Sequence, residues 1–245
     1  MPSGSSEAVR LFCVPHAGGG PSAFRGWRER LLPEIETTVV QLPGREARFR
    51  ERPYQEMEHL VEDLAASVIP CLKVEQPFAF FGNSLGGLIA FETLHLIRQH
   101  TGREAMHLFV SACGAPHCQP PLPPIGHLPD QELVRELNRR YQAIPAAILA
   151  DEDFLRAMLP TLRADISLLE AYCRQPPQPL SCPISAFGGA RDATVPGDHI
   201  QAWQEQTSAS FERFVLEEDH LFLASAREQL IRHVRETLVP AACAH

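Results

Sequence analysis

Short apolar runs recur along the chain, and glycine, proline or polar residues end each one. Runs of this length without polar alternation are typical of strands that are buried on both faces of a parallel sheet. The pattern therefore predicts strands, in chain order, at 11–15, 37–43, 77–82, 107–112, 183–189 and 212–218.

Between these runs, apolar residues recur at the three- and four-residue spacing of one helix face. The segments 55–72, 85–99 and 225–238 have this spacing and are predicted to be helices. Because strands and helices alternate, we expect an α/β fold with an open, doubly wound, mostly parallel sheet.

One segment interrupts the alternation. About seventy residues separate the runs at 107–112 and 183–189, whereas a crossover needs far fewer. Within the segment, 130–141 and 151–173 have helical spacing. Two interpretations remain open: a helical hairpin in the core, or a helical insertion over the end of the sheet where ligands bind.

The strongest motif is Gly82-Asn83-Ser84-Leu85-Gly86-Gly87, which follows a predicted strand and opens a predicted helix. This strand–turn–helix context is the one that a G-x-S-x-G nucleophile requires, since the hydroxyl must stand clear of the sheet. The alternative is that Ser84 only caps the helix.

A serine hydroxyl needs a base to take its proton, and in this arrangement the acid and the histidine follow the serine in the chain. Asp192 follows the fifth predicted strand and His220 follows the sixth. We therefore predict a catalytic triad of Ser84, Asp192 and His220. Three alternatives to the acid and the base remain at this stage, namely Asp198, Asp219 and His199.

An oxyanion hole needs two fixed N–H donors. Leu85 directly follows the serine, and Ala17 lies in the glycine loop 16–20 after the first strand. We predict the backbone N–H groups of Ala17 and Leu85 as the donors. The same loop could instead hold a phosphate, although no G-K-[ST] motif accompanies it.

Composition narrows the function further. The 245 residues carry a net charge of −8, which disfavours binding to nucleic acid. No run approaches the ~20 apolar residues of a membrane helix. Seven cysteines without a C-x-x-C pair suggest reduced thiols and a cytoplasmic protein. The spacing of Cys113, His117 and Cys118 matches no common zinc site, so neither a metal nor another cofactor is expected.

Two further features concern surfaces and domains. We expect the arginines at 45–52 to pair with Glu46 and Glu51 on a solvated face, or alternatively to form a docking patch for an acidic partner. Prolines cluster at 116–129 and 176–183, on either side of the long helical segment. Because the predicted triad spans both sides of this segment, we expect one domain over 1–245 with a lid inserted at about 115–180 and stiff hinges at the prolines.

From about residue 10 to 237 the chain resembles the external, type II thioesterases of polyketide and nonribosomal peptide synthetases. The resemblance rests on motifs at 15–19, 42–46, 77–87, 162–165, 188–192 and 219–223, which read PHAGG, LPGRE, PFAFFGNSLGG, LRAD, GGARD and DHLFL.

The resemblance implies an α/β-hydrolase with a helical lid that hydrolyses acyl thioesters on the phosphopantetheine arm of acyl or peptidyl carrier proteins. It implies the removal of stalled or aberrant acyl groups. We also expect a monomer that requires no metal or other cofactor. Ser84, Asp192 and His220 fall on the triad positions of the family, and Ala17 and Leu85 on its oxyanion positions.

The chain departs from the family pattern next to these residues. Asn83 stands where histidine commonly precedes the nucleophile, Leu85 where methionine often follows it, and Asp219 where glycine often precedes the base. Alternative functions are an esterase or acyltransferase with the same triad, or a non-catalytic module that binds carrier proteins.

Overall fold

The computed structural model describes residues 8–74, 76–118, 122–141, 144, 149–172, 174 and 179–239. Within these residues, six strands form one sheet in the order β2-β1-β3-β4-β5-β6, and every neighbouring pair is parallel. The strands are β1 (Val9–Val14), β2 (Ile35–Val39), β3 (Phe78–Asn83), β4 (Leu108–Ser111), β5 (Ile184–Gly189) and β6 (Phe211–Leu216).

The helices lie between the strands as the periodicity predicts, with ends that differ by a few residues. The short helix α1 was not predicted, because five residues are too few to show a helical period. The helices are α1 (Trp27–Leu31), α2 (Met57–Val68), α3 (Leu85–Thr101), α4 (Asp130–Tyr141), α5 (Glu152–Ala171), α6 (Gly197–Gln201) and α7 (Arg227–Leu238).

Two apolar cores lie on opposite faces of the sheet. Successive side chains of a strand point to opposite faces, so in β3 Phe78 and Phe80 join the core under α2 and α3. Ala79 and Phe81 join the core with Trp27 and helix α7 on the other face. The prediction of a doubly wound parallel α/β sheet is confirmed.

The expectation of burial on both faces holds for the central strands and is wrong for β2 and β6. Both are edge strands with a sheet neighbour on one side only, and apart from Ile35 their residues are partly or fully exposed. In β6, for example, Val215 keeps 57% of its surface exposed. Apolar runs alone do not reveal which strand lies at an edge.

The strand order places a crevice between β1 and β3. The chain leaves β1 toward β2 on one side, whereas β3 leads to β4, β5 and β6 on the other. Loops that follow β1 and β3 therefore diverge at the carboxyl ends of the strands, which is where ligands bind in open α/β sheets.

The long segment between β4 and β5 contains α4 and α5. It has its own apolar cluster, and some of the same side chains line a cavity with Ser84. This position favours an insertion over the end of the sheet rather than a hairpin in the core. Parts of the predicted hinges, 119–121 and 175–178, lie outside the described residues. The cluster comprises Ile125, Leu133, Leu137, Ile144, Leu159, Leu162 and Ile166.

Candidate active site

Ser84 occupies a strained turn between β3 and α3, with φ 52° and ψ −121°. The turn requires glycine on both sides. A Cβ on Gly82 would lie 2.3 Å from the carbonyl oxygen of Gly86, and a Cβ on Gly86 would lie 2.2 Å from that of Val14. Because both obstacles are backbone atoms, the G-x-S-x-G spacing is a steric condition for this turn.

His220 lies beside the serine in the loop after β6, and only 5% of its surface is exposed. Its Nε2 is 3.2 Å from Ser84 Oγ, and its Nδ1 is 2.7 Å from Asp192 Oδ2. One imidazole therefore joins a hydroxyl to a carboxylate across residues that lie far apart in the sequence. This is the geometry that a general base needs.

The other oxygen of Asp192 is fixed by its own loop. Oδ1 accepts hydrogen bonds from the Thr194 hydroxyl at 2.6 Å, the Thr194 N–H at 2.8 Å and the Val195 N–H at 3.2 Å. Burial by itself would raise the pKa of Asp192, but the hydrogen bonds from His220 and Thr194 outweigh it and lower this pKa. The carboxyl group is therefore held in its ionised form.

Thr194 is a site residue that the sequence reasoning missed. Its hydroxyl lies 2.6 Å from Oδ1 of Asp192 and 2.9 Å from Nδ1 of His220, so it helps to hold both side chains in place. The signal was present in the sequence, since an aspartate two residues before a threonine favours a local turn of this kind.

The three rival residues do not join this constellation. Asp198 is exposed and accepts a hydrogen bond from the N–H of His199. Asp219 faces Arg191 at 3.4 Å, with 59% of its side chain exposed. His199 lines a cavity with Ser84, but within the described residues no hydrogen bond joins the two.

Both predicted oxyanion donors lie at the site. Ala17 lines a cavity together with Ser84, and Leu85 is the first residue of α3. The first N–H groups of a helix have no partner inside it. Within the described chain, neither N–H donates to a protein acceptor, so both remain available to a ligand.

Ser84 and His220 line two small cavities, which have volumes of about 90 and 30 Å³. Tyr141 at the end of α4 lines both, and its ring lies 4.9 Å from that of His220. Burial raises the pKa of Tyr141, so its phenol stays neutral. The walls are mostly apolar and come largely from Leu88, Leu122, Leu137, Leu162, Ile166, Leu169 and Tyr172.

Asn83 ties the turn to the neighbouring strand, because its Nδ2 donates to Ser111 Oγ at 2.8 Å. Its Oδ1 and the Nδ1 of His16 are both buried, and the Asn83 side chain interacts with that of His16. Burial and the nearby His220 lower the pKa of His16 to about 4, so His16 is neutral near pH 7.

The predicted pairing of the arginines at 45–52 is wrong for Arg45. Arg48 does pair with Glu51, at 2.5 Å on the surface. Arg45, however, is 5% exposed and binds Asp165 of α5 through two hydrogen bonds of 2.6 and 3.0 Å. Glu46 accepts hydrogen bonds from Ser22 instead of an arginine. The partner of Arg45 lies far away in sequence, so no local pattern reveals it.

No described helix is long and apolar enough to cross a membrane. Over the same residues, no three histidine, cysteine or acidic side chains converge as metal ligands. His117, which the sequence places near two cysteines, accepts a hydrogen bond at Nδ1 from the Gln206 side-chain amide at 2.7 Å.

The parallel sheet, the strained serine after β3 and the histidine after β6 define an α/β-hydrolase. A family model described as a thioesterase domain matches residues 9–238, so the chain belongs to the thioesterase family. The resemblance to type II thioesterases is confirmed, since solved relatives include such enzymes from polyketide and nonribosomal peptide pathways. The protein is therefore a thioester hydrolase by family.

Three relatives show how far the likeness extends. Linear gramicidin dehydrogenase LgrE of Brevibacillus parabrevis is 39% identical over 97% of this chain and 90% of its own. Thioesterase PikA5 of Streptomyces venezuelae is 34% identical over 96% of this chain and 82% of its own. The structure of RedJ, a thioesterase of the prodiginine pathway of Streptomyces coelicolor, has a TM-score of 0.86 at 37% identity and covers 95% of this chain and 87% of its own. The name of LgrE denotes a dehydrogenase, so the assignment of this chain to the thioesterases rests on the family model and not on that name.

Proposed function

We propose that this protein hydrolyses acyl thioesters from the phosphopantetheine arm of acyl or peptidyl carrier proteins, with Ser84 as nucleophile, His220 as general base and Asp192 as its partner. The observation that carries the proposal is the double contact of His220, 3.2 Å from Ser84 Oγ and 2.7 Å from Asp192 Oδ2. The reaction needs no bound cofactor.

In the first half of the reaction, Nε2 of His220 takes the proton of Ser84 while Oγ attacks the thioester carbonyl carbon. Asp192 keeps Nδ1 protonated and stabilises the imidazolium that forms. The tetrahedral intermediate then expels the pantetheine thiolate, which receives the proton from His220. An acyl ester of Ser84 remains.

In the second half, His220 takes a proton from a water molecule, and the hydroxide attacks the acyl ester. Collapse of this intermediate returns the proton to Ser84 and releases the carboxylic acid. The free N–H groups of Ala17 and Leu85 stabilise the negative oxygen of both intermediates.

The proposed biological role is the removal of stalled or aberrant acyl groups from a biosynthetic assembly line. Its support is the family membership and the small apolar cavities beside Ser84, which suit an acyl chain better than a polar substrate.

Ser84→Ala tests the catalytic assignment. We expect hydrolysis of an acylated carrier protein to fall at least about a thousandfold, because within the described residues Ser84 has the one hydroxyl that contacts Nε2 of His220. The matched control is Ser67→Ala on the exposed face of α2, which should leave kcat/KM unchanged. Near-native turnover by Ser84→Ala in a folded protein would refute the assignment.

The same assay separates the alternative functions. An esterase would prefer an acyl ester to the matched acyl thioester, when compared by kcat/KM. An acyltransferase would form ester product when an alcohol competes with water. A non-catalytic binding module would show no turnover and no labelling of Ser84 by a fluorophosphonate.

A further inference from the structure

A buried ion pair holds the loop that bears Ala17. Asp165 of α5 is 1% exposed, and its Oδ2 accepts a hydrogen bond from the N–H of Gly18 at 2.7 Å. The same oxygen accepts one from Arg45 at 2.6 Å. Arg45 also donates to the carbonyl oxygen of Gly19 at 3.4 Å. Two side chains from distant parts of the sequence therefore bind the backbone of two consecutive residues, Gly18 and Gly19, in one loop.

Helix α5 adds a second contact on the same side. Leu162 lies three residues before Asp165, so the two side chains share one helix face. The Leu162 side chain packs so close to Gly18 that a Cβ there would lie 2.4 Å from it. Gly18 itself has φ +74°, a conformation that favours glycine. The loop is thus shaped to the surface of α5.

The charges of the pair explain why both members are needed. A bare carboxylate next to the oxyanion site would repel the negative charge that forms there. The guanidinium of Arg45 binds both oxygens of Asp165, and it also donates twice to the carbonyl oxygen of Pro43. The carboxylate can therefore accept from Gly18 without leaving an unpaired charge in the interior.

Resting on the proposed function, we propose that Asp165 and Arg45 are positioning residues that fix the Ala17 N–H as an oxyanion donor. Helix α5, although it belongs to the inserted segment, is then part of the catalytic framework rather than a movable cover. Neither residue touches the reacting atoms, and both act through the backbone of residues 17–19.

The test compares three variants in the full-length protein. Arg45→Met/Asp165→Leu removes both charges at similar volume, which avoids leaving one buried charge unpaired. Asp165→Asn keeps an oxygen that can still accept from Gly18. Asp130→Asn is the control, because it removes the negative charge from the exposed 2.6 Å pair with Arg163 of α5 without touching the loop.

For the double variant we expect kcat to fall about a hundredfold, as for loss of one oxyanion donor, with KM changed less than about threefold. A trifluoromethyl ketone that forms a tetrahedral adduct with Ser84 should lose affinity by a similar factor. A non-hydrolysable thioether analogue of the substrate should bind as before. Asp165→Asn should lie between the double variant and wild type, and Asp130→Asn should match wild type.

A folded double variant with wild-type kcat would overturn the proposal. Equal loss of affinity for the ketone and the thioether would also overturn it, since that pattern indicates a general structural role. If the double variant does not fold, the same two affinities measured on Asp165→Asn decide the question.

The same hydrolysis assay tests the proposed function separately. The proposed function fails if the kcat of wild type does not exceed that of Ser84→Ala. The positioning role fails if wild type is active and the double variant has the same kcat. Hydrogen exchange at Gly18 gives a readout without turnover, and it should speed up in the double variant.

Discussion

At the residue scale, strain and steric exclusion fix the nucleophile. Ser84 has a positive φ, and the neighbouring glycines exist because backbone atoms lie within 2.3 Å of where a side chain would begin. The G-x-S-x-G motif therefore predicts the geometry of this turn from the sequence alone. The same reasoning does not extend to Thr194 or Asp165, whose importance depends on which distant residues they meet.

The sequence offers both Asp192 and Asp198 as the acid of the triad, and substitution of each distinguishes them. Asp192→Asn should lower kcat by about three to four orders of magnitude, because an amide no longer holds His220 in the required tautomer. Asp198→Asn should change kcat less than about twofold, since Asp198 is exposed on α6. Steady-state kinetics on both variants check this, and the reverse ranking would contradict the proposed triad.

At the element scale, the two helices of the inserted segment are attached differently. Helix α5 is tied to the body by the Arg45–Asp165 pair and by a 2.8 Å hydrogen bond from Thr161 to the carbonyl oxygen of Gly44. Helix α4 buries Leu133 and Leu137 in the small cluster of the inserted segment. That the whole segment acts as one lid stays a prediction, and the two helices differ in how they are attached.

This difference predicts the pattern of hydrogen exchange. Backbone amides of α4 should exchange faster than those of 159–168 in α5, because local opening of α4 breaks fewer buried contacts. Exchange measured by mass spectrometry on the free protein tests it, with β3 as the protected reference. Equal protection of α4 and α5 would count against a mobile α4.

At the scale of the whole molecule, buried histidines couple stability to pH. His107 lies 2.9 Å from Ser185 Oγ, and burial, with a smaller effect of His233, lowers the pKa of His107 to about 4. In the unfolded chain this pKa is about 6.5. Between the two values the unfolded chain binds a proton that the folded protein does not. The free energy of unfolding therefore falls as pH falls from about 6.5 to 4 and is unaffected by His107 below that range.

The expected contribution of His107 is on the order of 3 kcal/mol across this window. His107→Gln keeps a polar partner for Ser185 and should flatten the dependence of unfolding free energy on pH by that amount. Denaturant unfolding at pH 7 and pH 4.5 measures it. His59→Gln, with 66% of the His59 side chain exposed, is the control and should leave the slope as in wild type. An unchanged slope in His107→Gln would contradict the prediction.

The sequence by itself determined the sheet, most of its helices, and the residues that lie at its carboxyl edge. These follow from local rules: apolar runs, helical periodicity, and a motif whose turn admits only glycine two residues before and two residues after Ser84. Parallel strands bring their carboxyl ends to one edge, so Asp192 and His220 could be placed near Ser84 without coordinates.

Only the tertiary structure decided which strands lie at the edges, that Thr194 braces Asp192 and His220, and that Arg45 is buried against Asp165. Each of these depends on contacts between residues far apart in the sequence, and for Thr194 that contact is the one with His220. A buried charge in particular is stable only beside a partner, and the fold alone brings that partner to it.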